Sequence, residues 1–243
     1  MNVEAYAIEA RVEETHWWFV GRRRLFSSEI RLMNLAPGAA VLDVGTSTGT
    51  NLRMLRELGF ANVEGVDFSQ EAIAWCAARG LGTVRHGDVC DLPYADASLD
   101  LVLATDILEH VEDDDRAARE IRRVLRPGGR ALISGPAFRE LWGLQDDLAH
   151  HLRRYAQSGF RKLLESAGFH VVHCYYFNFI LFVPIFLARQ LMRVFRFGLK
   201  SENQLNAPWM NEILTRLFAF DVRLAPLLRP PFGVSILAVV EKR

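Results

Sequence analysis

The sequence is short of cysteine, carries no excess of either charge and lacks a leading apolar segment, and each shortage excludes a class of protein. Cys76, Cys90 and Cys174 are the only cysteines in 243 residues, and they show no CxxC spacing. Neither a disulfide framework nor a cysteine zinc site is expected, and a reducing, cytosolic compartment is the default. Lys plus Arg and Asp plus Glu number 29 each, whereas a general nucleic-acid binder needs a strongly basic surface. The N-terminal stretch carries Glu4, Glu9, Glu13 and Glu14 with no apolar run, which is not a signal-peptide pattern. The 23 residues between Glu165 and Arg189 hold no Asp, Glu, Lys or Arg, which reaches membrane-spanning length. They do contain Gly168, His170, His173, Asn178 and Pro184, so a strand followed by an apolar helix is expected instead. What the chain has in excess is phenylalanine late in the sequence: 11 of 16 fall at or after Phe160.

Periodicity and turn signals give an alternation. Helices are expected over 3–14 and about 20–35, joined by an aromatic knot of His16, Trp17, Trp18 and Phe19. After the turn at Ala36-Pro37-Gly38, strands are expected at 40–44, 62–67, 83–88, 99–105 and 130–136. Helices at 51–58, 70–79 and 114–125 separate them, with Gly59 and Gly80 as stop signals. Strands spaced by helices imply a parallel sheet with right-handed crossovers. A helix at 158–167, a strand at 169–176 and a terminal strand follow. The expected organisation is a helical cap (1–35), a core (36–177), a helical insertion (178–230) and a final core strand (231–243).

The first strand runs into Asp43-Val44-Gly45-Thr46-Ser47-Thr48-Gly49, a small-residue turn that lets a ligand approach the backbone. The second strand ends in Asp67, placed to accept hydrogen bonds from a ribose; the third ends in Asp88 and the fourth in Thr105-Asp106. Ligands of open α/β sheets bind at the carboxyl ends of parallel strands, so these acidic residues form one expected site. A dinucleotide fingerprint wants a third glycine where Asn51-Leu52 stand.

The segments VLDVGTSTGTNLRML, GVDFS, GDVCDLPYADASLDLVLATDILEHVEDD and VLRPGGRALIS resemble the successive motifs of class I S-adenosylmethionine-dependent methyltransferases, most closely the UbiE/UbiG-like small-molecule group. The resemblance covers about residues 38–136 strongly. It implies a Rossmann-like, doubly wound, seven-stranded α/β sheet, mostly parallel with a final antiparallel strand. It also implies S-adenosyl-L-methionine as cofactor. Asp43, Gly45, Thr46, Ser47 and Gly49 would cradle its methionine part. Asp67 would bind the ribose beside Phe68, and Asp88 would meet the adenine amino group with Val89 against the ring. Thr105 and Asp106 would lie under the sulfonium. Thr46-Ser47 departs from the pattern, which often has Cys-Gly there, and serine gives up the freedom of glycine at positive φ.

Three places are candidates for acceptor chemistry. Asp106-x-x-Glu109-His110 resembles a stretch that some quinone O-methyltransferases use with a divalent metal; its ligand number is incomplete, and no metal is expected. The connector holding Asp146, His150, His151, Arg153, Arg154 and Tyr155 offers a histidine base and arginines for an anionic group. His150, His151 and His110 are the expected catalytic residues. The Glu13–Arg24 stretch resembles the cap of a bacterial methyltransferase subgroup, with Trp17 or Trp18 over the cofactor and Arg22 at its carboxylate, or serves as aromatic packing. In the insertion, Arg189, Arg193, Arg196 and Lys200 recur on one helical face, and a second helix is expected from Pro208 with Ile213, Leu214, Leu217 and Phe218 facing in. The insertion reads as a lid, a dimer surface or a contact with anionic lipid. The expected activity is methyl transfer to a small, apolar or lipidic acceptor, with O-methylation first. A cofactor-binding protein without catalysis and a nucleic-acid methyltransferase are the alternatives. The expected location is cytoplasmic or peripheral on the inner face of the membrane.

Overall fold

A computed structural model describes residues 9–195 and 207–243. Seven strands form one sheet: β1 (Ala40–Val44), β2 (Asn62–Asp67), β3 (Val84–His86), β4 (Leu99–Thr105), β5 (Leu125–Pro136), β6 (His170–Phe177) and β7 (Ser235–Glu241). Their order is β3-β2-β1-β4-β5-β7-β6. The pairs among β1 to β5 are parallel, and β7 runs antiparallel to both of its neighbours. The helices of the described residues include α1 (Trp17–Leu32), α2 (Thr50–Glu57), α3 (Gln70–Ala78), α4 (Asp114–Val124), α5 (Leu144–Leu148), α6 (Gln157–Ser166), α7 (Phe182–Phe195) and α8 (Pro208–Leu228).

The period of two along each strand feeds two cores, one on each face of the sheet. Leu42, Val44, Val102, Ala104, Ile236 and Ala238 pack with Ile121 of α4 and Phe160 and Leu164 of α6. Val41, Leu101, Leu103, Leu237 and Val239 pack with Leu25 and Phe26 of α1, Leu55 of α2 and Phe218 of α8. Local chemistry sets the helix starts. Ser69 caps α3 by accepting from Ala72 N, and Asp113 caps α4 by accepting from Arg116 N at 2.8 Å.

Several expectations shift. The aromatic knot is not a joint: His16 caps α1, and Trp17, Trp18 and Phe19 form its first turn. β5 begins at Leu125 rather than residue 130, because Leu125 pairs with Leu99 of β4, and Gly128 N donates to Lys242 O while Lys242 N donates to Gly129 O. In the insertion, α7 starts at Phe182, which leaves Pro184 in the first turn, where a missing N–H costs nothing. Helix α8 does start at Pro208, but its buried face is Phe218, Asp221, Val222 and Ala225; the expected Ile213 and Leu217 are exposed. Phe218 and Val222 fill the space over the sheet, and the helix rotates to seat them. Among the described residues no helix is long and apolar enough to cross a membrane.

Candidate active site

The carboxyl ends of β1, β2 and β4, together with α1, α5, α7 and α8, enclose a cavity of about 960 Å³. The β1 turn supplies its floor. Gly45 sits at φ +72°, and a Cβ there would land 1.8 Å from Ile107 Cδ1, so only glycine fits. Ser47 takes φ +49°, the left-handed region that costs a residue with a Cβ about 1–2 kcal/mol. Its N–H donates to Asp67 Oδ2 at 2.8 Å, and Ser69 N donates to Asp67 Oδ1 at 2.8 Å. Two backbone donors thus fix the Asp67 carboxylate at the end of β2, while burial pushes its pKa up. Thr46 Oγ1 donates to Asp43 O at 3.0 Å, and Gly49 opens α2 at φ +89°.

Asp43 is fully buried. One carboxylate oxygen accepts from Asn51 Nδ2 at 3.0 Å, the other has no partner, and burial pushes its pKa up to about 7. Asn51 also donates to Thr105 Oγ1 at 3.0 Å, tying β1, α2 and β4 together. Asn51 entered the sequence reading only as a reason against a dinucleotide; its place in this network shows only in three dimensions. Phe68, Asp88 and Val89 line the rim of the cavity, Phe68 and Asp88 exposed and Val89 buried. Asp88 accepts from Cys90 N at 2.8 Å. Asp106, at φ +57°, accepts from Ser134 Oγ at 3.0 Å and pairs with Arg22 at 2.8 Å. Arg22 lies over the Trp18 and Phe26 rings. Its guanidinium therefore already has an anionic partner, and Asp106 is drawn toward the cap. Trp18 lines the cavity and stacks on Phe218 at 5.5 Å and Phe177 at 6.1 Å.

The N-terminal segment closes this end. Glu13 is fully buried, and its carboxylate accepts from Thr48 and Thr50 of the β1 turn and pairs with Arg79 of the α3 C-terminus. Glu9 lines the cavity, and burial and the charge of Glu13 push its pKa up to about 7. Neither role is readable from the acidic N-terminus alone.

The opposite wall carries the connector. His151 lines the cavity, and its Nδ1 lies 2.8 Å from Asp146 Oδ1. Burial opposes ionisation of Asp146, but His151, Arg154 Nη1, which donates to both carboxylate oxygens (2.7 and 2.9 Å), and Gly143 N hold its pKa down at about 2. The ring of His110 meets that of His151 edge-on at 4.7 Å. His150 is the exception among the expected catalytic residues. It sits at φ +57° in the turn after α5, exposed and off the cavity wall. The left-handed turn puts adjacent histidines on opposite sides, one inward and one outward.

Glu109 is fully buried with no partner on either carboxylate oxygen, and burial together with Asp106 pushes its pKa well up. Its ligand atom and those of His110 and His151 lie within 4.8 Å of one another. Asp106, expected beside Glu109 and His110, is engaged by Arg22 instead. Asn178, at the end of β6, is likewise buried, lines the cavity and has no partner on its amide. The apolar wall comes from Leu181, Pro184, Ile185 and Met192 of the α7 region and Met210 and Leu214 of α8. Arg189 also turns inward, its side chain 10% exposed, donating to Leu141 O and lying 3.6 Å from Asp146. The expected basic stripe thus loses its first member to the interior; the side chain of Arg193, and Arg196 and Lys200, lie outside the described residues.

Residues 42–133 match the methyltransferase domain family. A Mycolicibacterium smegmatis relative named as a probable S-adenosylmethionine-dependent methyltransferase is 31% identical over 161 residues, covering 65% of this chain and 61% of that protein. The O-methyltransferase cnsE of Penicillium expansum is 30% identical over 176 residues, covering 63% of this chain and 59% of its own. The chain spans about three-fifths of the length of these curated relatives. In fold, it resembles the methyltransferase complexed with the Haloferax volcanii Trm112 methyltransferase activator, at TM-score 0.66 and 21% identity, covering 98% of this chain and 94% of that one. The sheet order and these matches make the chain similar to S-adenosylmethionine-dependent methyltransferases, with the family match confined to residues 42–133.

Proposed function

We propose that the protein transfers a methyl group from S-adenosylmethionine to an oxygen of a small, largely apolar acceptor. The observation that carries this reading is a single cavity with the cofactor-type residues at one end and the His151–Asp146 pair at the other, beneath an apolar wall. The floor fits the cofactor. Gly45 leaves room only for backbone, Asp43 keeps an unpartnered oxygen, and Asp67 is fixed with lone pairs to spare. Asp43 and the Gly45–Gly49 turn would hold the methionine part, Asp67 the ribose, and Phe68, Asp88 and Val89 the adenine. Trp18 and Thr105 would border the reacting end. The cofactor supplies a methyl carbon activated by its sulfonium. The chain's part is to align the acceptor, exclude water and remove a proton. Asp146 fixes the His151 ring through Nδ1, so Nε2 is the nitrogen left to take the acceptor's hydroxyl proton. Glu109, whose pKa burial and Asp106 push up, and the Asn178 amide, both unpartnered, offer hydrogen bonds to the polar end of the acceptor.

The test is labelled methyl transfer from S-adenosylmethionine into cell extract fractionated into lipid, polar and macromolecular pools. Label is expected in an apolar small-molecule fraction; label confined to macromolecules sinks the reading. Asp67→Ala is expected to weaken cofactor binding by about tenfold or more in calorimetry, since it removes a buried charged acceptor. Unchanged affinity would overturn the placement of the cofactor. A second reading, cofactor binding without methyl transfer, draws on Ser47 at positive φ in the cofactor turn. It predicts calorimetric binding with no label in any pool.

A further inference from the structure

Helices α7 and α8 each have two apolar faces. One face lines the cavity through Ile185 and Met192 on α7 and Met210 and Leu214 on α8. The other carries Val183, Leu187 and Leu191 on α7 and Trp209, Ile213, Leu217, Phe220, Leu227 and Leu228 on α8, all exposed. Spacings of four along α7, and of four, seven and seven from Trp209 to Leu227, put each set on one stripe. Trp209 is 68% and Leu227 is 79% exposed. Apolar residues scattered singly need no explanation, but two aligned stripes flanking the walls of one cavity do.

The charge around these stripes selects the occupant. Arg216, Arg223 and Arg229 are exposed on or just after α8, against a single exposed acid, Glu212, which pairs with Arg216 at 2.9 Å. The helix's other acid, Asp221, is buried, accepting from Asn178 N and Ile180 N. A two-fold copy docked on the same face would set these cations against themselves. An anionic surface with an apolar interior satisfies both the stripes and their rim. We propose that the outer faces of α7 and α8 dock the protein on an anionic lipid bilayer, with the cavity between the inner faces opening toward it. The docking stands on these faces alone; delivery of an apolar acceptor from the bilayer rests additionally on the proposed function.

The test is flotation of the full chain with phosphatidylcholine vesicles, with and without phosphatidylglycerol. Flotation is expected with the anionic vesicles and much less with the neutral ones. Leu191→Glu combined with Trp209→Glu is expected to reduce vesicle binding by about tenfold or more, while calorimetric cofactor affinity stays unchanged and shows that the fold is intact. Arg216→Glu with Arg223→Glu is expected to remove the preference for anionic vesicles. Equal flotation of wild type and the Leu191/Trp209 variant overturns the proposal. So does a chain that stays with neither vesicle and instead forms a dimer, broken by Trp209→Glu, in light scattering. A chain that floats but transfers no label would retain the docking and lose only the proposed activity.

Discussion

At the residue scale, the site separates carboxyl groups by environment. Asp146, with an arginine, a histidine and a backbone N–H around it, has its pKa pulled down; Glu109, also buried but unpartnered, has its pKa pushed well up. The sign of the pH dependence of Glu109 follows. Its folded pKa lies above the unfolded value near 4.5, so its contribution to stability is full below that value and is lost as pH rises through the folded pKa. Glu109→Gln should therefore match or fall below wild type in melting temperature at pH 5 and exceed it at pH 8. For a chain of this size, each kcal/mol moves the midpoint by about 2–4 °C. Parallel melting profiles across that range would show that Glu109 does not titrate as argued. For catalysis, His151→Ala should lower kcat by about 10²–10⁴-fold, the usual worth of a positioned base. Asp146→Asn should also lower kcat, because the His151 ring loses the carboxylate that orients it through Nδ1. His150→Ala, at an exposed ring, should leave kcat unchanged. If His150→Ala and His151→Ala have equal effects, the inward–outward assignment fails.

At the scale of elements, the β1 turn is gripped from outside its own strand. Glu13 accepts from Thr48 and Thr50 and meets Arg79, with Arg53 at 3.5 Å. Removing one partner of a buried ion pair strands the other, at roughly 3–5 kcal/mol. Glu13→Ala should lower the melting temperature substantially and weaken S-adenosylmethionine binding in calorimetry. Glu13→Gln, which keeps the hydroxyl contacts, should lose less of both. Full cofactor affinity in a destabilised Glu13→Ala would confine this segment to a structural role. The same comparison shows what sequence can tell. The strands, the alternation and the placing of carboxylates at Asp43, Asp67, Asp88 and Asp106 were legible because each follows from local pattern: a strand's apolar run, then a turn residue, at the carboxyl end of a parallel strand. Glu13, the Asn51–Thr105 contact and the inward turn of Arg189 were not, since each is decided by partners tens of residues away. The choice between His150 and His151 turned on one left-handed residue, a conformation that no composition or spacing marks.

At the scale of the whole molecule, the cap and the insertion form one cover, although most of the chain separates them. Trp17 N donates to Asn211 Oδ1 at 2.8 Å, and Asn211 Nδ2 donates to Thr15 O at 2.8 Å. Phe218 of α8 lies between Trp17 at 5.4 Å, Trp18 at 5.5 Å and Phe177 at 6.3 Å. That accounts for two of the late phenylalanines: Phe177 and Phe218 pack against an aromatic turn at the far end of the sequence. The contact point is Gly21, where a Cβ would come within 2.1 Å of the Phe218 ring. The ring is fully buried and has no free direction to move. Gly21→Ala should therefore cost about 1–3 kcal/mol by overpacking, and it should loosen α8 as well as α1. Phe218→Leu should cost a similar amount by leaving a void. In the double variant the smaller ring-free side chain makes room for the methyl, so the two losses should sum to less than their separate values. Limited proteolysis should show early cleavage in both the cap and the insertion for Gly21→Ala, with protection of both restored in the double variant. Additive losses, or cleavage confined to the cap, would mean that the two segments open independently and that the cavity has two covers.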